Sequence, residues 1–277
     1  MANLLNKNIG TNYKGILNLG TTANTPLDGT LRPITDGMGN ASLITLSNSQ
    51  VNAGALSITN TSVWNSGAGA ISSNTAFGSD ALVSNTTGGS MTAIGRQSLF
   101  SNTTGFDNVA LGLQSLYSNL TGGDNTALGT YALSLNTSGN SNTAIGKNAL
   151  NANTASNNVA VGFEAALNNT TGSSIIAIGY RSLLSNTNGQ SNTALGSGSS
   201  QLNTTGNFNT SVGFQSLISN LTGSNNTALG FRALRFNTTG NNTAVGHEAA
   251  ESNTTGTGIT AIGYQALKLN TTGVDNT

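Results

Sequence analysis

The chain of 277 residues contains no cysteine, only two prolines, and few charged or aromatic residues. Charged residues make up 6% of it, against roughly 25% in an ordinary soluble domain. Nine Lys and Arg balance nine Asp and Glu, so the formal net charge is zero. The lack of cysteine excludes a disulfide-stapled domain. The lack of a basic stripe argues against a nucleic-acid partner, and the lack of net charge argues against an acidic disordered tail.

Targeting and membrane signals are also missing. The opening residues, MANLLNKN, lack the charged segment followed by an apolar core that marks a secretory signal. No stretch approaches the ~18 apolar residues of a membrane helix. These absences predict synthesis in a cytoplasm and no membrane insertion. One His and nine carboxylates leave little from which to build a reactive centre. We therefore expect no enzyme activity, no catalytic or metal-binding residues, and no cofactor.

The strongest positive signal is an internal repeat ending in a small–apolar–Gly tripeptide. Its glycines are spaced by 17 residues nine times and by 16 twice, with the consensus NTAIGxxALxxNTTGxx. The chain stops within the last unit, at Thr277, which predicts that the array is cut short at the C-terminus. The twelve repeat glycines are Gly78, Gly95, Gly112, Gly129, Gly146, Gly162, Gly179, Gly196, Gly213, Gly230, Gly246 and Gly263.

The residues before each repeat glycine predict a short strand. The third residue before it is always β-branched, the residue just before it is always apolar, and Ala or Ser lies between them. Residues two apart share one face of a strand. We therefore expect one strand face to bury the large side chains. The small column predicts a place where another backbone comes very close.

A second invariant column predicts a stacked turn. The seventh residue after each repeat glycine is Asn, as at Asn85, Asn102 and Asn119. Asn tolerates left-handed backbone, and its amide can bond to a copy of itself one layer away. A Gly follows three residues later, except at Ser156. Because loops accept deletions and strand registers do not, we place both one-residue deletions just after this turn.

These columns predict an all-β fold, a parallel β-solenoid or β-roll of 17-residue repeats. Density in Gly, Asn and Thr together with period-two alternation argues against helix, and strict column identity argues against disorder. We expect two or three short strands in each layer. Twelve layers at ~4.8 Å would make a rod of about 58 Å. A single thin coil would be marginally stable, so we predict a homotrimer. The small column within the strand and a second Ala/Ser column, three residues after each repeat glycine, would form its seams, unless those seams lie inside one coil.

The unit NTAIGxxALxxNTTG resembles the head repeats of trimeric autotransporter adhesins, which form a trimeric left-handed parallel β-roll. It also resembles repeat arrays in virion fibre proteins of tailed bacteriophages. The resemblance covers about Asn74–Thr277, within the predicted shaft of residues 71–277, although this repeat is longer than the usual adhesin head repeat. It implies an intertwined homotrimeric shaft.

Residues 1–70 do not follow the repeat and form a separate predicted region. The segment PLDGTLRPITDGMGNAS resembles the start of phage virion fibre proteins, where the N-terminus docks the fibre to the particle. A cap on the open edge of the solenoid is the alternative role. Trp64 is predicted to plug the first layer. Turn residues predict short strands at Gly15–Leu19, Leu31–Thr35, Ser42–Leu46 and Ala55–Thr59.

Together these features predict a structural virion fibre protein. Its N-terminus would dock to phage virion proteins, and its shaft would project a distal tip, outside this chain, that binds a host receptor. The alternative is the stalk of a bacterial surface trimeric adhesin that binds host or matrix. A solenoid enzyme such as a polysaccharide depolymerase is a third class, for which no acid pair is evident.

Three sets of residues could suggest other chemistry. His247, Glu248 and Glu251 resemble a metal motif but lack a second His, so we interpret them as a solvated edge. The glycosylation sequons, such as those at Asn85, Asn102 and Asn203, are interpreted as turn ladders. The third set is an aromatic-rich column just after the repeat glycine, which favours packing between subunits over sugar binding. It holds Arg96, Phe163, Tyr180, Phe214, Phe231, His247 and Tyr264.

Overall fold

The computed structural model describes residues 73–277 continuously, together with four short strands nearer the N-terminus. The four strands form two antiparallel pairs, and three of the predicted strands overlap them. The predicted strand Gly15–Leu19 and the residue Trp64 lie outside the described residues. The pairs are β1 (Arg32–Thr35) with β2 (Ala41–Leu46), and β3 (Ser57–Ile58) with β4 (Thr61–Ser62).

From Ser73 onward the chain is an all-β parallel solenoid, as the repeat predicts. Twelve three-residue strands form one parallel sheet in which each strand pairs with the strands one repeat before and one repeat after it. The pairing stays in register, so Ala93 lies between Ala76 and Ala110. The strands are β5 Thr75–Phe77, β6 Thr92–Ile94, β7 Val109–Leu111, β8 Thr126–Leu128, β9 Thr143–Ile145, β10 Val159–Val161, β11 Ile176–Ile178, β12 Thr193–Leu195, β13 Thr210–Val212, β14 Thr227–Leu229, β15 Thr243–Val245 and β16 Thr260–Ile262.

We number the layers, or rungs, from 1 (containing β5) to 12 (containing β16). Each rung begins at the residue before its strand and ends before the equivalent residue of the next rung. Rung 5 (residues 142–157) and rung 10 (residues 226–241) have 16 residues, and the others have 17.

The two faces of the strand are the reverse of the prediction. In all twelve strands the middle Ala or Ser is buried inside the coil, and both flanking residues lie on the outside. Ala127 is 0% exposed, whereas its neighbour Leu128 is 41% exposed. The interior of one coil is narrow and is already filled by residues such as Leu116 and Leu133, which are fully buried. Only a methyl or hydroxymethyl group fits beside them, so the small column is a seam inside one coil.

Each rung contains one strand rather than two or three. The remainder is turns, with three left-handed positions in each rung: the second and fourth residues after the repeat glycine, and the last residue of the rung. In rung 3 these are Gln114, Leu116 and Asp124, with φ of 53°, 50° and 58°. Left-handed backbone costs a residue such as Leu about 1–2 kcal/mol. The stacked neighbours must hold it in place.

The predicted Asn ladder runs through the interior of the coil. Asn119 Nδ2 donates to Asn102 Oδ1 at 2.7 Å and to the Gly122 carbonyl at 2.9 Å. Its own Oδ1 accepts from Asn136 Nδ2 at 2.9 Å. Asn102, Asn119 and Asn136 are all 0% exposed. Because a buried amide without partners costs about 1–3 kcal/mol, the ladder fixes the turns of these three rungs to one another.

A second Asn column, at the first residue of most rungs, forms another ladder. Asn125 Nδ2 donates to the Gly139 carbonyl at 2.9 Å, and its Oδ1 accepts from the backbone N–H of Asn142 at 3.0 Å. The Gly139 carbonyl also accepts from Asn136 Nδ2 at 3.0 Å. The two ladders therefore meet at one carbonyl in this rung.

The missing residue of a short rung lies within the turn that carries the Asn ladder. We call this turn, residues seven to ten after the repeat glycine, the corner turn. In rung 5 the Ala155 carbonyl accepts from both Asn153 Nδ2 and Asn142 Nδ2 at 2.8 Å, the role that Gly139 has in rung 4. Thr239 does the same in rung 10. The prediction that the deletions follow the turn is therefore wrong by one or two positions.

Candidate interaction surface

The outward side of the sheet is an uncharged ribbon of apolar and Thr side chains that follows the whole array. It consists of the first and third residue of every strand, and neither position is charged in any rung. We call it the sheet ribbon. A surface of this length without charge is typical of contact with another macromolecule. Its most exposed large side chains are Phe77, Val109, Leu111, Leu128, Ile176, Leu195, Leu229 and Ile262.

Beside the sheet ribbon, the residues just after the repeat glycine form stacks of rings. The Phe163 and Tyr180 rings stack with centroids 5.6 Å apart and planes 10° apart. A second stack runs from rung 9 to rung 12 through Phe214, Phe231, His247 and Tyr264, with centroids 5.6, 4.9 and 5.4 Å apart. We call these six residues the aromatic column. In-register stacking of the rungs is what brings the rings together.

The stacking determines which part of each ring can meet a partner. A ring between two others, such as Phe231, has both faces covered and offers mainly its edge. Arg181 and Arg232 lie with their guanidinium carbons 5.1 and 4.8 Å from the centroids of Tyr180 and Phe231, within cation–π range. Sugars bind aromatic residues through open ring faces, which Phe231 and His247 lack, whereas the rings at the ends of the stacks keep one face that no other ring covers.

An ion pair between rungs lies next to the first stack. Arg181 Nε is 2.7 Å from Glu164 Oε2, and the two residues occupy the same position in rungs 7 and 6. The hydrogen bond to Glu164 raises the pKa of Arg181 above its usual value. Opposite charges in neighbouring rungs thus support the register in which the rings stack.

The candidate metal motif belongs to a second ionic cluster, in rungs 10 to 12. Lys268 Nζ lies 2.6 Å from Glu248 Oε2 and 3.7 Å from Glu251 Oε2, and Arg235 Nη1 lies 3.5 Å from Glu251 Oε1. Hydrogen bonds from Lys268 and then Gln265 lower the pKa of Glu248, and the bond to Glu248 raises the pKa of Lys268. Both carboxylates therefore face cations of neighbouring rungs.

The placement of this motif agrees only in part with the predicted solvated edge. His247 is exposed within the ring stack, and its Nδ1 is 3.8 Å from Glu248 Oε2. Glu251, in contrast, is 8% exposed and is buried under its cations. Among the described residues, no three His, Asp or Glu side chains come close enough together to hold a metal ion. The same part of the chain has no helix with the length and apolarity needed to cross a bilayer.

The asparagines of the three sequons named above are ladder residues. Asn85, Asn102 and Asn203 are fully buried. Asn203 Nδ2 donates to Asn186 Oδ1 at 2.8 Å and to the Gly206 carbonyl at 3.0 Å. An amide in this position is closed to modification in the folded chain, which confirms the interpretation as turn ladders.

Sequence reasoning missed the second Asn column as a structural element. The residues that replace Asn in this column could have revealed it. Most rungs begin with Asn, but Met91, Ile175 and Ile259 replace it at intervals of 84 residues. A position that accepts Asn or a large apolar residue, and no charge, is typical of a buried site. All three replacements are buried.

Comparison with known protein families, with curated proteins and with solved structures found no match to this chain.

Proposed function

We propose that this chain is the shaft of a virion fibre of a tailed bacteriophage and that it works as a homotrimer. The role is mechanical and non-enzymatic. Residues 1–70 dock to virion proteins, and the solenoid projects a distal tip that binds a host receptor. The fibre is made in the host cytoplasm and acts on the virion.

The observation that carries the proposal is the exposed sheet ribbon. Twelve rungs at ~4.8 Å, with about 10 Å of side-chain width, present on the order of 500 Å² of uncharged surface. Apolar side chains fill 15 of its 24 positions, and Thr fills the other nine. This approaches the roughly 600–1,000 Å² that each partner contributes to a standard interface. A patch of this size is at the upper end of those found on soluble monomers, and such patches often mark a functional contact. The partner that fits this surface best is a second copy of the chain, because its ribbon has the same spacing between rungs and the same length.

A cyclic trimer needs two different surfaces on each chain, since every copy contacts two neighbours. The sheet ribbon and the aromatic column are two such surfaces, and both run along the shaft. The resemblance of the repeats to trimeric adhesin heads supports an assembly of three chains. It also keeps a bacterial adhesin stalk as the second candidate.

The mass of the purified full chain in analytical ultracentrifugation tests the assembly. A trimer of the 27.8 kDa chain is expected, and a folded monomer would contradict the proposal. The variant L128E/L195E puts charges on the sheet ribbon and is expected to prevent assembly. The matched control T104E/T205E changes exposed corner-turn residues of the same coil and is expected to leave the trimer intact.

The location on a virion is tested separately. Mass spectrometry of purified phage particles from a strain carrying the gene should detect the chain, and antibody labelling should place it on a fibre. Detection on the bacterial surface in the absence of phage would favour the adhesin stalk instead.

A further inference from the structure

The two short rungs interrupt the bonding along the shaft at one corner. In an ordinary corner turn, such as that of rung 2, the Thr103 N–H donates to the Leu120 carbonyl of the next rung at 2.9 Å. The Asn ladder crosses the same plane, with Asn119 Nδ2 2.7 Å from Asn102 Oδ1. The backbone bond and the Asn-ladder bond therefore both join neighbouring corners, and the Thr103 hydroxyl adds a third bond, to the Leu120 carbonyl at 2.9 Å.

Between rungs 4 and 5 both bonds are lost. Among the described residues the Thr137 N–H has no bond to the rung 5 corner. Asn136 Oδ1 accepts instead from Gly139 N–H of its own turn at 3.1 Å. Asn153 Nδ2 donates only to Ala155, at 2.8 Å. Each of these two amides therefore bonds within its own turn, and the rung 5 corner keeps one bond to rung 4, from the Asn140 N–H to Ser156 Oγ at 2.9 Å.

Between rungs 9 and 10 the same losses recur. The Leu221 N–H has no bond to the rung 10 corner, and Asn237 Nδ2 donates to Thr239 at 2.7 Å. Asn220 Oδ1 is left buried and has no hydrogen-bond partner within the described part of the chain. An unpaired buried acceptor is costly, so this plane is weaker than its neighbours.

Elsewhere in these two layers the bonding continues. The sheet keeps its register across both planes, with Thr126 beside Thr143 and Thr210 beside Thr227. The turn after the repeat glycine is also joined, through the bond from Leu217 N–H to Ala233 at 3.0 Å. On the far side of rung 5 the corner bond resumes, from Thr154 N–H to Thr170 at 2.9 Å.

We infer that the shaft has two built-in bending planes, between rungs 4 and 5 and between rungs 9 and 10. Each plane opens at the corner turn while the sheet acts as the hinge. The planes are 84 residues apart in sequence and about 24 Å apart along the axis, at ~4.8 Å for each of five rungs. The inference rests on hydrogen bonds within one chain and does not depend on the proposed function.

Hydrogen exchange of the full-length chain tests the open corners. The amides of Thr137 and Leu221 are expected to exchange about tenfold faster, or more, than those of Thr103 and Thr204 after correction for intrinsic rates. A Gly inserted between Thr154 and Ala155 restores seventeen residues and should protect Thr137. Deletion of Thr121 should expose Thr103. Equal protection of all four wild-type amides would overturn the inference.

Distances between spin labels test the bending itself, because the chain has no cysteine to interfere with labelling. Thr121, Thr171 and Thr222 are exposed residues in the same column of rungs 3, 6 and 9. The pair T121C/T171C spans the first bending plane, and T171C/T222C spans three ordinary planes. With labelled chains diluted among unlabelled ones, the first distance distribution should be about twofold broader than the second. Equal widths would contradict bending.

Discussion

At the scale of single residues, the solenoid depends on backbone conformations that most side chains avoid. Leu116 adopts φ of 50° in a fully buried site, and the equivalent residue of nearly every rung does the same. The repeat glycines have φ near +130°, a region open to glycine and strained for other residues. Neighbouring rungs must therefore supply the energy that keeps each residue in place.

Gly129→Ala should be strongly destabilising. A Cβ at this position would lie 2.7 Å from both the carbonyl carbon and oxygen of Gly146. The clash adds to the strained φ of 133°, for a total of about 3 kcal/mol. At Gly263 the nearest atom would be Ala266 Cβ at 4.0 Å, so Gly263→Ala keeps only the strain, about 1 kcal/mol. Thermal unfolding followed by circular dichroism would compare the two, and equal losses would argue against the clash.

At the scale of elements, the unit of stability is the contact between stacked rungs. A three-residue strand has no independent stability, and the strained turns of one rung gain support only from the next. Solenoids behave as sums of such nearest-neighbour contacts. The side chains at each contact must therefore match their copies one rung away.

In rungs 8 and 9, two hydrogen-bonded serines replace the apolar residues that the other rungs have in the buried Leu and Ala columns. Ser200 replaces the usual buried Leu, and its Oγ donates to Ser211 Oγ at 2.8 Å, where the other rungs have Ala. Ser211→Ala should leave the Ser200 hydroxyl without this partner and cost about 1–2 kcal/mol. The double variant S200L/S211A recreates the Leu183–Ala194 pair one rung earlier and should exceed the wild-type stability by about 1–2 kcal/mol.

A double-mutant cycle in urea, with both single variants, measures this coupling. A double variant less stable than Ser211→Ala alone would show that the rung cannot accept Leu at this position.

At the scale of the whole molecule, neutral groups hold the rod together. Asn ladders and backbone bonds link the rungs, and neither changes protonation over the usual pH range. The few ionic contacts between rungs cluster around the aromatic column, in rungs 6, 7 and 10 to 12. Stability should therefore respond little to pH until Glu248 is protonated.

Glu248 makes this response testable. Its pKa is lowered below the ordinary 4.5, chiefly by the hydrogen bond from Lys268. Its stabilising effect is complete above the unfolded-state pKa and is lost as the pH falls through the lower folded-state pKa. As the pH falls below about 4.5, the unfolding temperature of the wild type should decrease. The decrease should be smaller for Glu248→Gln. Identical pH profiles would contradict this role.

Much of this architecture could be predicted from the sequence, because a repeat shows each physical requirement twelve times. The repeat glycines and the column containing Asn119 predicted the parallel solenoid and its Asn ladder. The alternation around Ala127 identified two strand faces but not which one is inside, since that depends on how much volume the coil encloses. The ring stacks and the ionic cluster depend on the exact register between rungs, which a consensus does not contain.

The left-handed positions also limit how such a solenoid can evolve. Thr is among the commonest residues of this chain, yet it never stands at any of the three left-handed positions of a rung, and neither do Val and Ile. β-branched side chains are the least compatible with positive φ. A gene that gains length by copying whole units inherits this exclusion with every copy. Substitutions can therefore accumulate at the outward positions, whereas these three positions exclude Thr, Val and Ile.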